Sequence, residues 1–400
     1  MARRNLVLAV DVGTTKVSAI VAQVRPDGEL AVLGIAATPV VGMRRGLVFE
    51  PERVAAAIRD AVNRANSMAG ADLNQAAVGV NGDHLGVQVG HAQVVLKHGT
   101  VREEDLKAVV QKATPAAADP ERQVIQLVRR ALAVDGFRGV VDPVGMVARQ
   151  IEAEVLAVTG LNTAVRNLKR VLSMAGITPV LMVANPKAAA DGVLGDDERQ
   201  LGVVLLDVGG GTTGVVVYRG GELQHLGVVP IGGEAITSDI AVGLGMVATQ
   251  AERLKLEYAQ VGGPPEGGTL EVRTVNGQAV KVVPRGQLEE IVQARVDEWL
   301  QYVEAQLRRV DWPTGPAAGV VMTGGGAMLR GLAQFLEQRW GWPVRLGSPY
   351  GLAGLSDLSK SPGYAVVVGV AKAKAQEGLF VAEHEGLGER LKKLWVNLFS

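Results

Sequence analysis

Short apolar runs broken by charges and glycines organise this chain, and the period of each run predicts its element. Residues 6–10, 17–24 and 31–35 are predominantly apolar stretches of strand length, with Asp27-Gly28 as the turn between the last two. Residues 50–68 switch to a helical period through Val54, Ile58, Ala61, Val62 and Ala65, and residues 76–80 read as a buried strand. After Asn81-Gly82 the texture changes. Short strands at 87–89, 93–96 and 152–158 surround a helix predicted to open at Thr100. There Thr100-x-x-Glu103 has capping-box spacing, and Glu103, Glu104 and Asp105 suit the positive helix end. Residues 83–162 therefore read as an inserted α+β module. A helix at 162–175 and a strand at 180–183 resume the first fold, and residues 196–199 read as a charged hinge.

The second half repeats the opening. Leu8-Ala-Val-Asp-Val-Gly-Thr-Thr-Lys-Val17 recurs as Leu206-Asp-Val-Gly-Gly-Gly-Thr-Thr-Gly-Val215, with Asp11 and Asp207 196 residues apart. In each copy an apolar strand runs into an Asp, a Gly turn and a Thr pair, and a second apolar strand follows. The pattern predicts a β-hairpin with a concave, phosphate-sized turn. Glycine lets the backbone approach an anion, and successive N–H groups with Thr hydroxyls supply donors. The Asp closing the first strand can hold a hydrated Mg²⁺ through its waters. The candidates are Asp11, Gly13, Thr14, Thr15 and Lys16 in the first hairpin, and Asp207, Gly209, Gly210, Gly211, Thr212 and Thr213 in the second. One copy alone reads as a tight turn; two copies with matching strands predict a duplicated fold gripping one nucleotide from both sides.

Residues 234–310 read as a helical, polar subdomain. Its longest helix, 287–308, places Leu288, Val292, Val296, Trp299, Val303 and Leu307 on one face. A strand at 317–322 ends in Thr323-Gly-Gly-Gly-Ala-Met328, ahead of a helix at Leu329; the bare backbone of Gly324, Gly325 and Gly326 lets an adenosine lie against it. Glu252-x-x-Lys255 lies one turn apart on a helix. It reads either as a ribose and adenine clamp or as a surface ion pair worth about 0.3–0.5 kcal/mol.

A closing helix at 364–375 and a short linker at 376–385 precede a separate segment, 386–400. On a helix, Leu387, Leu391, Leu394, Trp395, Leu398 and Phe399 share one face, with Arg390, Lys392 and Lys393 on the flanks and back. A basic amphipathic helix with Trp and Phe on its apolar side matches one lying in the plane of an anionic membrane; a helix docked on the body is the other reading. Burying these six side chains contributes roughly 10 kcal/mol gross. Ordering about 14 residues costs a comparable amount, while each cation adds about 1 kcal/mol near anionic lipid. One tail thus binds weakly and several on one assembly bind firmly, which points to polymerisation.

Composition narrows the picture. Lys+Arg and Asp+Glu both number 41 in 400 residues, so no global field draws the chain to nucleic acid. The absence of cysteine excludes disulfides, thiolate zinc sites and Cys nucleophiles and fits a reducing cytosol. Only 4% of residues are aromatic, so the core is aliphatic, as for buried parallel strands. The apolar run behind Arg3 and Arg4 is too short for a secretion signal, and no stretch reaches the ~20 apolar residues of a spanning helix.

Hairpin, inserted module, second hairpin, adenosine turn and amphipathic tail, in that order, resemble the FtsA family of bacterial cell division. This is an actin-like branch of the actin/Hsp70/sugar-kinase superfamily that tethers FtsZ to the membrane. Asp11-Val-Gly-Thr-Thr-Lys-Val17, Gly42-Met43, Asp207-Val-Gly-Gly-Gly-Thr-Thr213, Gly232-Gly233, Ile236-Thr-Ser-Asp-Ile240 and Val344-Arg-Leu-Gly347 look like its pattern. The resemblance implies an α/β, actin-like duplicated ribonuclease-H-type fold with a nucleotide cleft between two halves. Subdomain 1A would span 1–82 and 163–199, with a closing helix at 361–375. The inserted SHS2-type 1C would span 83–162. Subdomain 2A would take 200–233 and 311–360, and 2B would take 234–310; the linker and membrane helix follow at 376–385 and 386–400.

The resemblance further implies ATP and Mg²⁺ as ligands, with Gly233 and Met328 joining the nucleotide contacts. It implies self-association into actin-like filaments, other divisome partners meeting 1C, and a peripheral position on the cytoplasmic face of the membrane at the division site. Subdomain 2B would dock the FtsZ C-terminal peptide, where Arg295 matches a family Arg that meets that acidic segment; its other reading is a stem covering the stripe edge. Two positions depart from the pattern. Gly214 stands where the family often has Asp, and Asn185-Pro186 where relatives commonly have Glu-Pro, so water activation loses two carboxylates and hydrolysis is expected to be slow at most. The alternatives are an actin-like pilus-assembly ATPase resembling PilM, or a phosphotransferase of the same superfold.

Overall fold

The computed structural model describes residues 6–115, 119–140, 142–263, 267–273, 280–312, 314–355 and 360–383. Its frame is one sheet motif built twice. In the first half β1 (Leu6–Val12), β2 (Lys16–Val24) and β3 (Leu30–Pro39) form an antiparallel meander. A two-stranded ribbon, β4 (Met43–Arg44) and β5 (Leu47–Val48), leads to helix α1 (Pro51–Ala69), after which β6 (Gln75–Val80) joins β1 in parallel. In the second half β12 (Val203–Val208), β13 (Thr213–Arg219) and β14 (Glu222–Val229) repeat the meander, and β17 (Val320–Thr323) pairs in parallel with β12. The sheets run β11-β6-β1-β2-β3-β19 and β14-β13-β12-β17-β18, with β11 (Thr178–Ala184), β18 (Val344–Leu346) and β19 (Leu352–Gly354). Registers match as well. Asp11 opposes Ser18 and Gly79, while Asp207 opposes Gly214 and Thr323.

The central strands β1 and β12 are buried on two faces and read as near-continuous Val, Leu and Ala runs, as covered sheets require. Two helices fill the space between the halves: α4 (Asn185–Val193) and α10 (Ala365–Glu383). Side-chain-free positions let their backbones touch, Gly192 against the carbonyl of Ala365 and Gly369 against that of Ala188. One aliphatic core spans Ile20 and Leu30 of the first sheet, Leu205 and Leu223 of the second, and Val367 and Val370 of α10.

The insertion is an antiparallel sheet, β7-β10-β8-β9, of β7 (Gly86–Val95), β8 (Arg122–Val134), β9 (Phe137–Arg138) and β10 (Gln150–Leu161). Helix α2 (Glu103–Ala113) covers one face through Leu106, Val109, Val110 and Ala113. The other face sends Val128, Leu156 and Val158 into the core shared by both halves. Two of its predicted details change. Strand β7 is continuous where the sequence reads as two short strands. Helix α2 opens three residues after Thr100, which pairs with Val147 instead; Asp105, not Glu103, supplies the capping carboxylate, accepting from Arg102 N–H at 3.0 Å.

Helix α3 (Asn162–Met174) returns the chain to the first sheet. Residues 196–199, expected as a hinge, lie in a short helix, α5 (Asp196–Leu201), whose Glu198 accepts from Gly195 N–H at 2.9 Å and holds Arg345. The remaining subdomain comprises α6 (Gly233–Leu244), α7 (Ala248–Tyr258), the ribbon β15 (Thr269–Arg273) and β16 (Val280–Pro284), and α8 (Arg285–Leu307). On α8 the expected stripe is buried from Leu288 to Val303, with Leu307 packed at its end. Helix α9 (Leu332–Trp340) follows the third glycine turn. Helix α10 continues through 376–383, where the sequence places a linker; a Lys374–Glu377 ion pair at 2.7 Å and buried Ala373, Ala375 and Glu377 carry it onward. The segment 386–400 lies outside the described residues. Among the described residues no helix is long and apolar enough to cross a membrane.

Candidate functional site

The two glycine turns face each other at the centre of the molecule. Each is closed by the same backbone bond, Gly13 N–H to Lys16 O at 3.0 Å and Gly209 N–H to Thr212 O at 2.9 Å. They meet reciprocally: a methyl added at Gly210 would come within 2.5 Å of Thr15 Cγ2, and one at Gly211 within 2.5 Å of Thr14 Oγ1. Under the 196-residue offset Thr14 corresponds to Gly210 and Thr15 to Gly211. The contact is therefore self-complementary about a pseudo-twofold axis, threonine of one jaw against glycine of the other. Asn81, just beyond β6, donates from Nδ2 to Thr212 Oγ1 at 2.8 Å and ties the halves together at the same place.

Asp11 and Asp207 close β1 and β12 behind these turns, both buried. Burial raises both carboxyls. For Asp207 the proximity of Asp11 adds to it while Lys16 opposes, and the result is about 7. Burial lowers Lys16 despite both aspartates, and its ammonium lies 4.5 Å from the Tyr364 ring centroid. Asn185 donates from Nδ2 to Asp11 Oδ1 at 2.8 Å, leaving its own buried Oδ1 without a partner. At Gly214 a Cβ would stand 3.0 Å from Pro186 Cβ and Cγ, so a larger residue there would press on the start of α4. The site is thus two buried carboxylates against one lysine, an arrangement that a divalent cation would neutralise. Among the described residues no three His, Cys, Asp or Glu side chains cluster to ligate a metal directly, so such an ion would be held through its waters.

The third glycine station joins this centre. Gly324 adopts φ 85° and packs on Val208 O and Asp207, where any side chain would clash; its N–H donates to Pro362 O at 3.2 Å. Gly325 is exposed with open space beside it, and Met328 is exposed at the end of the turn. The first two N–H groups of α6, from Gly233 and Glu234, donate to Gly209 O and Gly210 O at 2.9 and 2.8 Å, fixing the second turn from behind. Lys255 is drawn in toward the same place, its Nζ donating to Gly233 O at 3.0 Å and Thr237 Oγ1 at 2.8 Å while pairing with Glu252 at 2.7 Å. That geometry removes Glu252 and Lys255 from the class of free surface pairs.

Not every candidate converges. The hydroxyl of Thr213 is engaged inside the second half, between Ile231 O and the Trp299 indole. Arg295 grips Asp239 at 2.5 and 2.9 Å and Glu298 at 2.6 Å, and borders a small apolar pocket lined by Ile236, Trp299, Gly326 and Leu329. The tail residues Leu387, Arg390, Leu391, Lys392, Lys393, Leu394, Trp395, Leu398 and Phe399 lie outside the described residues. Sequence reasoning missed Asn81, Tyr364 and Trp299. Only Asn81 carried a signal, because its Asn-Gly follows β6 as Gly324-Gly325 follow β17.

Residues 204–369 match the family model for "Cell division protein FtsA", and residues 82–159 match "SHS2 domain inserted in FTSA", over the β7-β10-β8-β9 module. The chain is 33% identical over 370 residues to the cell division protein FtsA of Pseudomonas aeruginosa, covering 92% of this chain and 88% of that relative. Among solved structures, a chain of the PilM-PilN type IV pilus biogenesis complex shares the fold at TM-score 0.63 and 18% identity, covering 93% of this chain and 99% of that one. MreB5 of Spiroplasma citri bound to ADP does so at TM-score 0.56 and 13% identity, covering 96% and 100%. The duplicated α/β fold is therefore actin-like.

Proposed function

This chain belongs to the FtsA family of cell-division proteins, and on that premise we propose that it is an ATP-loaded adaptor rather than a turnover enzyme. It polymerises on the inner face of the cytoplasmic membrane, anchors FtsZ there through the FtsZ C-terminal peptide, and supports Z-ring and septum assembly. The reciprocal contact of the two glycine turns, with Asp11 and Asp207 buried behind them, carries this reading. Threonines and glycine turns of both halves would close on a polyphosphate, and the excess carboxylate charge fits a hydrated Mg²⁺. Gly233, Glu252, Lys255 and the Gly324–Met328 turn would flank the nucleoside.

Slow hydrolysis follows from what surrounds the phosphates. Asn185 is an amide already committed to Asp11, and Gly214 bears no side chain, so neither can activate water as a carboxylate would. The adaptor would then persist in its nucleotide-bound shape. Membrane attachment rests on the composition of 386–400 and peptide docking on Arg295, which its two acidic neighbours keep oriented. The test is titration of the full chain with Mg·ATP beside the Asp207→Ala variant. Affinity should fall tenfold or more, and equal affinity would remove the second hairpin from the site.

A further inference from the structure

We infer that Trp299 is a positioning residue for the second glycine turn and that Thr213 is its hand-hold, not a ligand of the bound anion. The inference rests on the nucleotide reading above and deepens it by separating the turn's contacts from its support. Trp299 is buried on α8, in a stripe otherwise made of Leu and Val. A buried indole N–H needs an acceptor, and this one donates to Thr213 Oγ1 at 2.9 Å. The Thr213 hydroxyl in turn donates to Ile231 O at 2.8 Å. The direction is unambiguous, since an indole only donates and a carbonyl only accepts. Thr213 has therefore spent its single proton, and a phosphate oxygen, which can only accept, gains nothing from it without breaking the chain.

The support closes on itself. Ile231 precedes Gly232-Gly233 at the start of α6, whose first N–H groups hold Gly209 O and Gly210 O. The turn is thus clamped at its entry by α6 and at its exit by α8, with Thr213 joining the two clamps. Such a frame holds the backbone donors in place before a ligand arrives, which is where preorganisation acts on affinity. Four residues before Trp299 on the same helix stands Arg295, locked to Asp239 of α6. The helix that carries the proposed peptide contact is therefore bolted directly to the nucleotide turn.

The experiment uses the full chain with three single substitutions, Thr213→Val, Thr213→Ser and Trp299→Phe, and the Val/Phe double variant. Mg·ATP affinity is measured by calorimetry, and amide hydrogen exchange of residues 209–213 without nucleotide. Loss of one buried hydrogen bond predicts affinity about five- to tenfold weaker for Thr213→Val and for Trp299→Phe. The double variant should be no weaker than the poorer single, and Thr213→Ser should stay within twofold of the parent. Exchange in the turn should accelerate about tenfold in Trp299→Phe; Thr213→Val makes the same point if that variant folds poorly. Unchanged affinity and exchange, or losses that multiply in the double variant, would overturn the inference. If the parent itself bound no Mg·ATP, the nucleotide reading would fail separately, and the exchange rates alone would decide whether Trp299 holds the turn.

Discussion

Asp207→Asn should make the nucleotide-free protein more stable while depriving it of Mg·ATP. The carboxyl is buried and titrates at about 7 in the folded protein against an ordinary 3.8, with burial as the main cause, Asp11 adding to it and Lys16 opposing. In the unfolded chain it ionises from about pH 4, whereas in the folded chain it keeps its proton until about pH 7. Folding therefore takes up a proton in that window. Stability is highest below the unfolded value, falls as pH rises toward the folded value, and stays reduced above it. A rise of about three units corresponds to about 4 kcal/mol lost at pH 8. An amide of the same shape carries no such penalty, and because the raised value already includes the opposing pull of Lys16, the net gain at pH 8 is about 4 kcal/mol. At pH 5 most of the penalty has yet to develop, so the gap between variant and parent should narrow by roughly 2–3 kcal/mol. Denaturant unfolding of both proteins without nucleotide, at pH 8 and pH 5, reads these differences directly. A variant no more stable than the parent at pH 8, or a gap that fails to narrow at pH 5, would refute the reasoning.

Two further outcomes are expected. Removal of 387–400 should release the protein from vesicles rich in anionic lipid during co-sedimentation while leaving Mg·ATP affinity unchanged; retained vesicle binding would discard the tail as the anchor. Arg295→Ala should weaken binding of a fluorescent FtsZ C-terminal peptide at least tenfold, because a charge-assisted bond to a carboxylate is lost. Peptide anisotropy curves that superimpose for parent and variant would move the docking site elsewhere.

What the sequence made legible was local. Asp11-Val-Gly and Asp207-Val-Gly each combine an apolar strand, a turn and a second strand within a dozen residues, so the internal repeat stood out and predicted facing jaws. Capping was harder, since Thr100-x-x-Glu103 and Arg102-x-x-Asp105 overlap and only the pairing of Thr100 with Val147 separates them. Charge density at 196–199 reads as a hinge, yet three acids at a helix N-terminus with a basic residue behind them equally favour a helix. Residues 376–383 contain no proline, and their one glycine, Gly378, does not stop the helix. Two buried side-chain pairs far apart in sequence left no trace there. Trp299 and Thr213 are 86 residues apart and Asn185 and Asp11 are 174 apart; each pair exists only because two sheets and two helices are already stacked.

The inserted module bears on the cleft through bonds of the same long-range kind. Gln126 Oε1, buried on β8, accepts from Ala184 N–H at 3.0 Å, at the turn from β11 into α4. The next residue, Asn185, is the one that donates to Asp11. On the other side Arg130 of β8 donates to Gln224 of β14 at 3.1 Å, and Val128 and Leu156 share a core with Leu223 and Leu226. One strand of the insertion thus touches the end of β11 in the first half and the outer strand of the second. The jaws meet with Thr15 against Gly210 and Thr14 against Gly211, so the proposed polyphosphate would enter only if the halves part. Parting them would displace Gln224 relative to Arg130 and load the apolar seam beside it. Close-packed apolar seams resist small displacements and shift between discrete arrangements rather than deforming continuously. The insertion, placed far from the glycine turns in the chain, is therefore bonded to both halves that form their cleft.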